Sequence, residues 1–174
     1  MQSVAAIGHG LDGIQSNVAC APFRQVLIAS RSVTAECGLR PGDLRENIEV
    51  DCGWLYDLPS GTVLKIGQAL IRLTFHCEPC KTILKHIEFD RIEHRRGVLG
   101  CFLNAGTISV GDTLTISDMK MEPIPYAVHD RILWFLQNHD AKAAVADLVH
   151  NIGLPSTAVR LLARILKKRQ PEPA

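Results

Sequence analysis

Between Gln25 and Ile116 short runs of aliphatic and β-branched residues are cut at brief intervals by Gly, Pro and Asp. That rhythm constrains the fold more than any other feature. The runs are Gln25-Val-Leu-Ile-Ala29, Asn47-Ile-Glu-Val50, Thr62-Val-Leu-Lys-Ile66, Ala69-Leu-Ile-Arg-Leu-Thr-Phe75, Val98-Leu-Gly-Cys-Phe-Leu103 and Thr113-Leu-Thr-Ile116. Ile71, Leu73 and Phe75 alternate with Arg72 and Thr74, the period of a half-buried strand. Turn signals separate the runs: Arg40-Pro-Gly-Asp43, Leu58-Pro-Ser-Gly61, Ile66-Gly67, Asn104-Ala-Gly106 and Val110-Gly-Asp112. Many short strands at this spacing predict a mainly β domain, a small barrel or sandwich. One helix is expected inside it, over Lys81 to Ile92, with Ile83, Leu84 and Ile87 on its apolar face.

The pattern changes after Met121-Glu-Pro-Ile-Pro125. Three helices are expected beyond it, forming an α subdomain. The first opens at Pro125 and buries Val128, Ile132, Phe135 and Leu136. The second uses Ala141, Ala144, Val145, Leu148 and Val149. Gly153-Leu-Pro155 ends it, and the third turns Val159, Leu162, Ala163 and Leu166 inward. The reading gives a β domain over 1–118 and a helical subdomain over 123–169, with the boundary near 119–124.

A chain of 174 residues that is 47% hydrophobic fills a core and is neither disordered nor of low complexity. Its 19 Lys and Arg against 18 Asp and Glu give no whole-chain field for nucleic acid or anionic lipid. Counted by segment, residues 1–120 hold 12 basic and 13 acidic side chains and residues 121–174 hold 7 and 5, so the slight excess lies in the tail. No apolar run approaches the ~20 residues that span a bilayer. Met1 to Gly10 lacks the basic start and apolar run of a secretory signal, so the expected location is cytoplasmic, without membrane contact. There the cysteines at 20, 37, 52, 77, 80 and 101 are expected to be thiols and not a disulfide framework.

Phe75-His-Cys-Glu-Pro-Cys-Lys81 places two thiols three apart where a strand is expected to give way to a helix. A helix N-terminus, with Lys81 and Lys85 nearby, acidifies a thiol there, and the thiolate is the form that ligates metals or attacks. A structural zinc needs a second cysteine pair, which the other four do not supply, so no zinc is expected. A thioredoxin-like dithiol belongs in a βαβ setting, which is missing here. Two packed thiols at a strand end are the plain alternative.

The motif does not stand alone. Arg24-Gln-Val-Leu-Ile28, Arg40-Pro-Gly-Asp-Leu-Arg-Glu-Asn-Ile48, Leu58-Pro-Ser-Gly-Thr-Val-Leu-Lys-Ile-Gly67, Glu78-Pro-Cys80, Arg96-Gly97 and Ile108-Ser-Val-Gly-Asp112 follow one another in this order. The series, over roughly Gly8 to Ser117, resembles the MOSC domain, found in molybdenum cofactor sulfurases and amidoxime-reducing molybdenum enzymes. The resemblance implies a barrel-like fold with a pocket for a molybdopterin-type cofactor. It also implies that Cys80 ligates molybdenum or carries sulfur as a persulfide. Arg24, Arg45, Arg95 and Arg96 are then candidates for the cofactor's phosphate, Asn47 for the pterin edge, and Glu46 for holding an arginine. For Arg95 and Arg96 a solvated surface role is an equal alternative. His9 and His76 are read as polar neighbours, and Cys77 as a packing residue.

The likeness has gaps. His9-Gly-Leu-Asp-Gly13 resembles a family turn, but its Asp precedes the second Gly, which leaves Asp12 without an assigned role. The segment ahead of it is short, so one or two opening strands are expected to be lacking. No pyridoxal-phosphate, flavin or iron–sulfur module is expected within the chain. A reductase built on it would need an electron donor or a molybdenum enzyme as a separate partner.

In the tail, Asp147 to Arg160 resembles a helix-turn-helix, with Gly153 at the turn. That reading puts Ser156, Thr157 and Arg160 near bases, and Arg164, Lys167 and Lys168 near phosphates. A helical cap or dimerisation element with a solvated basic face is the competing reading. Three functions therefore stand: a molybdenum cofactor protein reducing N-oxygenated compounds, a carrier of sulfur or cofactor, and a cofactor-responsive regulator that binds nucleic acid.

Overall fold

A computed structural model describes residues 2–5, 21–138, 150, 153–154 and 158–169. The expected strand runs all form, with ends displaced by a few residues at most. They are β2 (Val26–Ser30), β3 (Ile48–Val50), β4 (Thr62–Ile66), β5 (Ala69–His76), β6 (Val98–Phe102) and β7 (Thr113–Lys120). An opening strand, β1 (Gln2–Ala5), is also present, where the sequence led us to expect its loss. It pairs antiparallel with β3 on one side and β7 on the other, and so closes a barrel in the order β1-β3-β2-β6-β5-β4-β7.

Every neighbouring pair is antiparallel except β2 and β3. A parallel pair needs a crossover longer than a hairpin. Here it contains α1 (Arg31–Glu36), a helix that the short sequence Arg31-Ser-Val-Thr-Ala-Glu36 did not announce. Asn47 fixes the entry to β3. Its Oδ1 accepts from the Leu27 N–H at 2.8 Å, and its own N–H donates to the Leu27 carbonyl at 2.8 Å.

Val26, Ile28, Ile48, Val50, Leu64, Ile66, Ile71, Leu73, Val98 and Leu114 form the main apolar cluster. Strand β2 is buried along its whole length because both of its faces are covered. Val26 and Ile28 enter the main cluster, Leu27 packs with Phe75, Cys77, Leu99 and Ile124, and Ala29 joins Val33, Cys37 and Leu44.

The helix expected over Lys81 to Ile92 is broken. A 3-10 turn (Ile83–Lys85) and a short helix α2 (Phe89–Ile92) replace it, with Glu88 extended between them. Ile83, Ile87 and Ile92 are all buried in one cluster, while Leu84 is 40% exposed. At about 100° per residue, Ile87 and Ile92 would stand some 140° apart on a continuous helix. Burying all three isoleucines requires the break.

In the tail, α3 (Val128–Asn138) starts three residues after Pro125, and α4 (Val159–Arg169) follows. Ile132, Phe135 and Leu136 of α3 meet Leu154, Ala158, Leu162 and Ile165. The inward stripe is thus 158, 162 and 165, which turns Val159 and Ala163 outward, contrary to expectation. The helix expected over Ala141 to Val149 lies outside the described residues. Contacts cross the 119–124 stretch. Ile124 is buried against the barrel with Phe75 and Leu99, the Phe23 and Trp134 rings meet edge to face, and Trp134 Nε1 donates to Glu122 at 2.9 Å.

Gly61 joins the β4 entry to this junction. Its N–H donates to the Leu73 carbonyl at 2.9 Å, and its carbonyl accepts from the Met121 N–H at 2.8 Å. At φ +87°, a Cβ there would stand 2.1 Å from the Met121 carbonyl oxygen. Gly61→Ala is expected to lower stability in urea unfolding by about 2 kcal/mol or more. A loss below about 0.5 kcal/mol, the range of an ordinary surface substitution, would contradict this packing.

Candidate functional site

Strand β5 leaves the barrel at His76 and runs through Cys77, Glu78 and Pro79 to Cys80, just ahead of the 3-10 turn. Proline restricts its own backbone and that of the residue before it, which keeps this short segment stiff. The Cys77 N–H still reaches the Gly97 carbonyl at 2.9 Å, so the segment starts from a fixed point on the barrel.

Cys80 is partly exposed, whereas Cys37, Cys52, Cys77 and Cys101 are buried. Burial works to raise its pKa, but the Ile83 and Thr82 backbone N–H groups, the Arg96 charge and the Thr82 hydroxyl together bring it below the ordinary thiol value. The other shifted thiols go the opposite way. Burial pushes Cys52 up to about 11 and raises Cys77 and Cys101 as well. Cys80 is therefore the described cysteine that combines access with a stabilised thiolate.

Glu78 organises the ground beneath it. Its Oε2 accepts from Arg24 Nη1 at 2.8 Å and its Oε1 from Arg131 Nη1 at 3.1 Å, while its carbonyl accepts from Arg96 Nη1 at 2.6 Å. Burial works against the charged carboxylate, yet Arg24 and Arg131 overcome it and hold Glu78 below the usual carboxylate range. Two guanidiniums on the carboxylate and a third on the backbone carbonyl of the same residue leave a positive field beside the thiol. Arg96 is buried, and its Nε has no hydrogen-bond partner among the described residues.

A ring cluster lies at the end of β5. His76 stacks on Tyr56 and meets His94 and Tyr126 edge-on, with centroids 6.3, 5.3 and 6.0 Å away. Burial and the neighbouring His94 charge depress the His76 pKa, and its buried Nδ1 has no partner among the described residues. Among the described residues, no three His, Cys, Asp or Glu side chains converge as a metal site.

The structure thus brings Cys80, Arg24 and Arg96 together around Glu78 and leaves the other candidates apart. Arg95 pairs with Glu36 at the surface. Asn47 commits its carbonyl oxygen to β2, as described above. Arg45 is exposed and carries φ +61°. Glu46 holds no arginine; its Oε1 accepts from the Gly42 N–H at 2.6 Å. Cys77 packs in the core with its sulfur 3.9 Å from Arg24 Nη2.

In the tail, Arg160, Arg164 and Lys167 are exposed on α4. Gly153 is docked against the barrel, its carbonyl accepting from Arg24 at 3.0 Å. His9, Asp12, Cys20, Ser156 and Thr157 lie outside the described residues, as does the Lys168 side chain.

Sequence reading missed the roles of Glu78 and Arg131. The signal for Arg131 was present: it falls on the apolar stripe of α3, at offsets of three and four from Val128 and Phe135. A charge on a buried stripe calls for a partner.

The MOSC domain family model matches residues 15–115, more than half of the chain and all of the Cys80 loop. The chain belongs to the MOSC domain family. Its fold resembles the crystal structure of YiiM from Geobacillus stearothermophilus, at 16% identity and TM-score 0.51, over 83% of this chain and 80% of that one. YiiM from Escherichia coli matches at 15% identity and TM-score 0.50, over 99% and 89%. A search of curated proteins gives no match. The MOSC match ends before α3, so Arg131 lies outside it. No helix among the described residues is long and apolar enough to cross a membrane.

Two outcomes follow for MOSC residues at and near this site. Glu78→Gln is expected to lose about 2–3 kcal/mol of stability at pH 7, because it strips the partner from a buried charge. Since the folded-state pKa of Glu78 is depressed, its contribution is present above the unfolded-state value and lost as pH falls through the folded one. Denaturant unfolding should therefore show the parent and variant converging as pH drops below the usual carboxylate range. Arg45→Gly relieves a left-handed backbone and is expected to leave thermal stability unchanged or raised by up to about 1 kcal/mol. A clear loss in a melting experiment would mean that the arginine side chain supports the fold.

Proposed function

We propose that Cys80 binds a molybdenum cofactor as a thiolate ligand and that the chain acts in the reduction of N-oxygenated compounds, with electrons from a separate protein. The observation that carries this reading is the Cys80 thiol itself, partly accessible and favoured as the anion. The residues around it suit such a group. Soft thiolate is a fitting ligand for molybdenum, and the Arg96 Nε beside it is a buried donor without a partner among the described residues.

The bound cofactor would supply a redox metal able to accept oxygen from an N–O group. The chain's own residues do the rest. The Thr82 and Ile83 N–H groups favour the anionic form of the sulfur, and Arg96 offsets its charge. Arg24 is occupied by Glu78 and Gly153, and Arg95 by Glu36. That leaves Arg96, beside Cys80, as the candidate for the cofactor's anionic end.

Protein purified from a cofactor-producing host is expected to carry about one molybdenum per chain, a stoichiometry that follows from a single thiolate ligand. Cys80→Ser is expected to lose it. A parent protein without molybdenum, or a Cys80→Ser variant that retains it, would overturn the proposal. Reduction of an amidoxime by the loaded protein with an artificial electron donor then separates catalyst from carrier. Turnover supports the reductase, whereas a fully loaded but inactive protein assigns the chain to cofactor delivery.

A further inference from the structure

Arg131 sits fully buried on α3, outside the stretch that matches the family, and the proposed chemistry makes no use of it. Its fork joins segments distant in sequence. Nε donates to the Pro125 carbonyl at 3.0 Å and Nη2 to the Tyr126 carbonyl at 2.5 Å. Nη1 donates to Glu78 Oε1 at 3.1 Å and to the Gly153 carbonyl at 3.5 Å. The guanidinium plane also lies 3.5 Å from the centre of the Phe75 ring, on β5.

Only a planar group with several donors on one rigid frame can serve all of these partners at once. On the barrel side, the segment it grips is already held at its backbone by Arg96 and stiffened by Pro79. The distance from the gripped carboxylate to Cys80 is two residues of chain.

We propose that Arg131 is a positioning residue for the Cys80 loop, so that the placement of Cys80 depends on the Arg131–Glu78 link to α3. The inference rests on Cys80 being the working thiol. Arg24, the other cation on Glu78, cannot replace it. Arg24 reaches the carboxylate from the segment that leads into β2, is about a quarter exposed and also donates to the Gly153 carbonyl, so it ties the loop to the barrel and to the turn before α4 but not to α3. Gly153 completes the coupling from the far side. A Cβ there would stand 2.8 Å from Arg24 Cδ, so the turn before α4 has room only as glycine.

The test uses the full chain without metal, so that it reads the loop and not the cofactor. Arg131→Met is expected to speed backbone hydrogen exchange over residues 79–85 about tenfold, as local opening becomes easier. It is also expected to change the Cys80 alkylation rate at fixed pH by about threefold or more. Arg131→Lys, which keeps the charge but not the fork, should recover part of both effects.

Leu162→Ala is the control, since it opens a cavity in the tail core and leaves the Arg131–Glu78 pair in place. It should lower the melting temperature while leaving the loop's exchange and alkylation as in the parent. If Arg131→Met does not fold, Glu78→Gln removes the same link from the barrel side. By reciprocity it should loosen both the 79–85 loop and the first turn of α3. Unchanged loop exchange in whichever of these two variants folds, or an equal change in Leu162→Ala, overturns the inference. A protein that shows the Arg131 effect but never holds molybdenum keeps this inference and removes the cofactor reading.

Discussion

The Glu78 carboxylate lies between two guanidiniums, one from the segment that leads into β2 and one from α3, while a third arginine holds its backbone. Buried ion pairs contribute little net stability, because desolvating the charges offsets most of their attraction. What they impose is a unique arrangement, since any shift strands a charge. The barrel is built from apolar contacts that tolerate small adjustments. The Glu78 cluster does not tolerate them, and it lies two residues from the thiol on which the proposed chemistry depends. It also ties the helical part to the segment that carries Cys80.

Much of the fold was legible, and the reason is physical. The strands reveal themselves through β-branched runs ended by Gly, Pro and Asp, a local signal, and the ends of β4 were read to the residue. What went wrong was decided by distant contacts. The helix after Pro79 reads as one periodic stretch, but the cluster of Ala29, Val33 and Leu44 draws in three isoleucines that no single helical face presents. Strand β1 is too short to announce itself, and only its two partners define it. Likewise α1 exists because a parallel pair needs a crossover.

The candidate site was half legible. Cys80 stands out from sequence because thiol spacing, a following turn and nearby cations are local features. The arginines do not, because the same residue type serves three purposes here. Arg24 neutralises a buried carboxylate, Arg95 pairs at the surface, and Arg45 occupies a left-handed turn. Asn47, inside the same family motif as Arg45, uses its side chain as a splice between β2 and β3. A motif records that its residues matter, and only the partners say for what. Arg131 is the converse case, a residue outside any motif whose partners give it a role.

Closing the ring has a consequence for how the molecule comes to exist. The β4, β5 and β6 strands follow one another and pair through nearby connections, so their contacts cost little chain entropy. Ser3, by contrast, pairs with Thr113, and Val4 with Val50. Contacts across such separations repay their loop entropy only once the rest is in place. The Cys80 loop spans β5 and β6, whose pairing is far nearer in sequence than the seam between β1 and β7. During synthesis β1 leaves the ribosome ahead of both of its partners, and the side that faces β7 must wait for the rest of the barrel strands before it is covered.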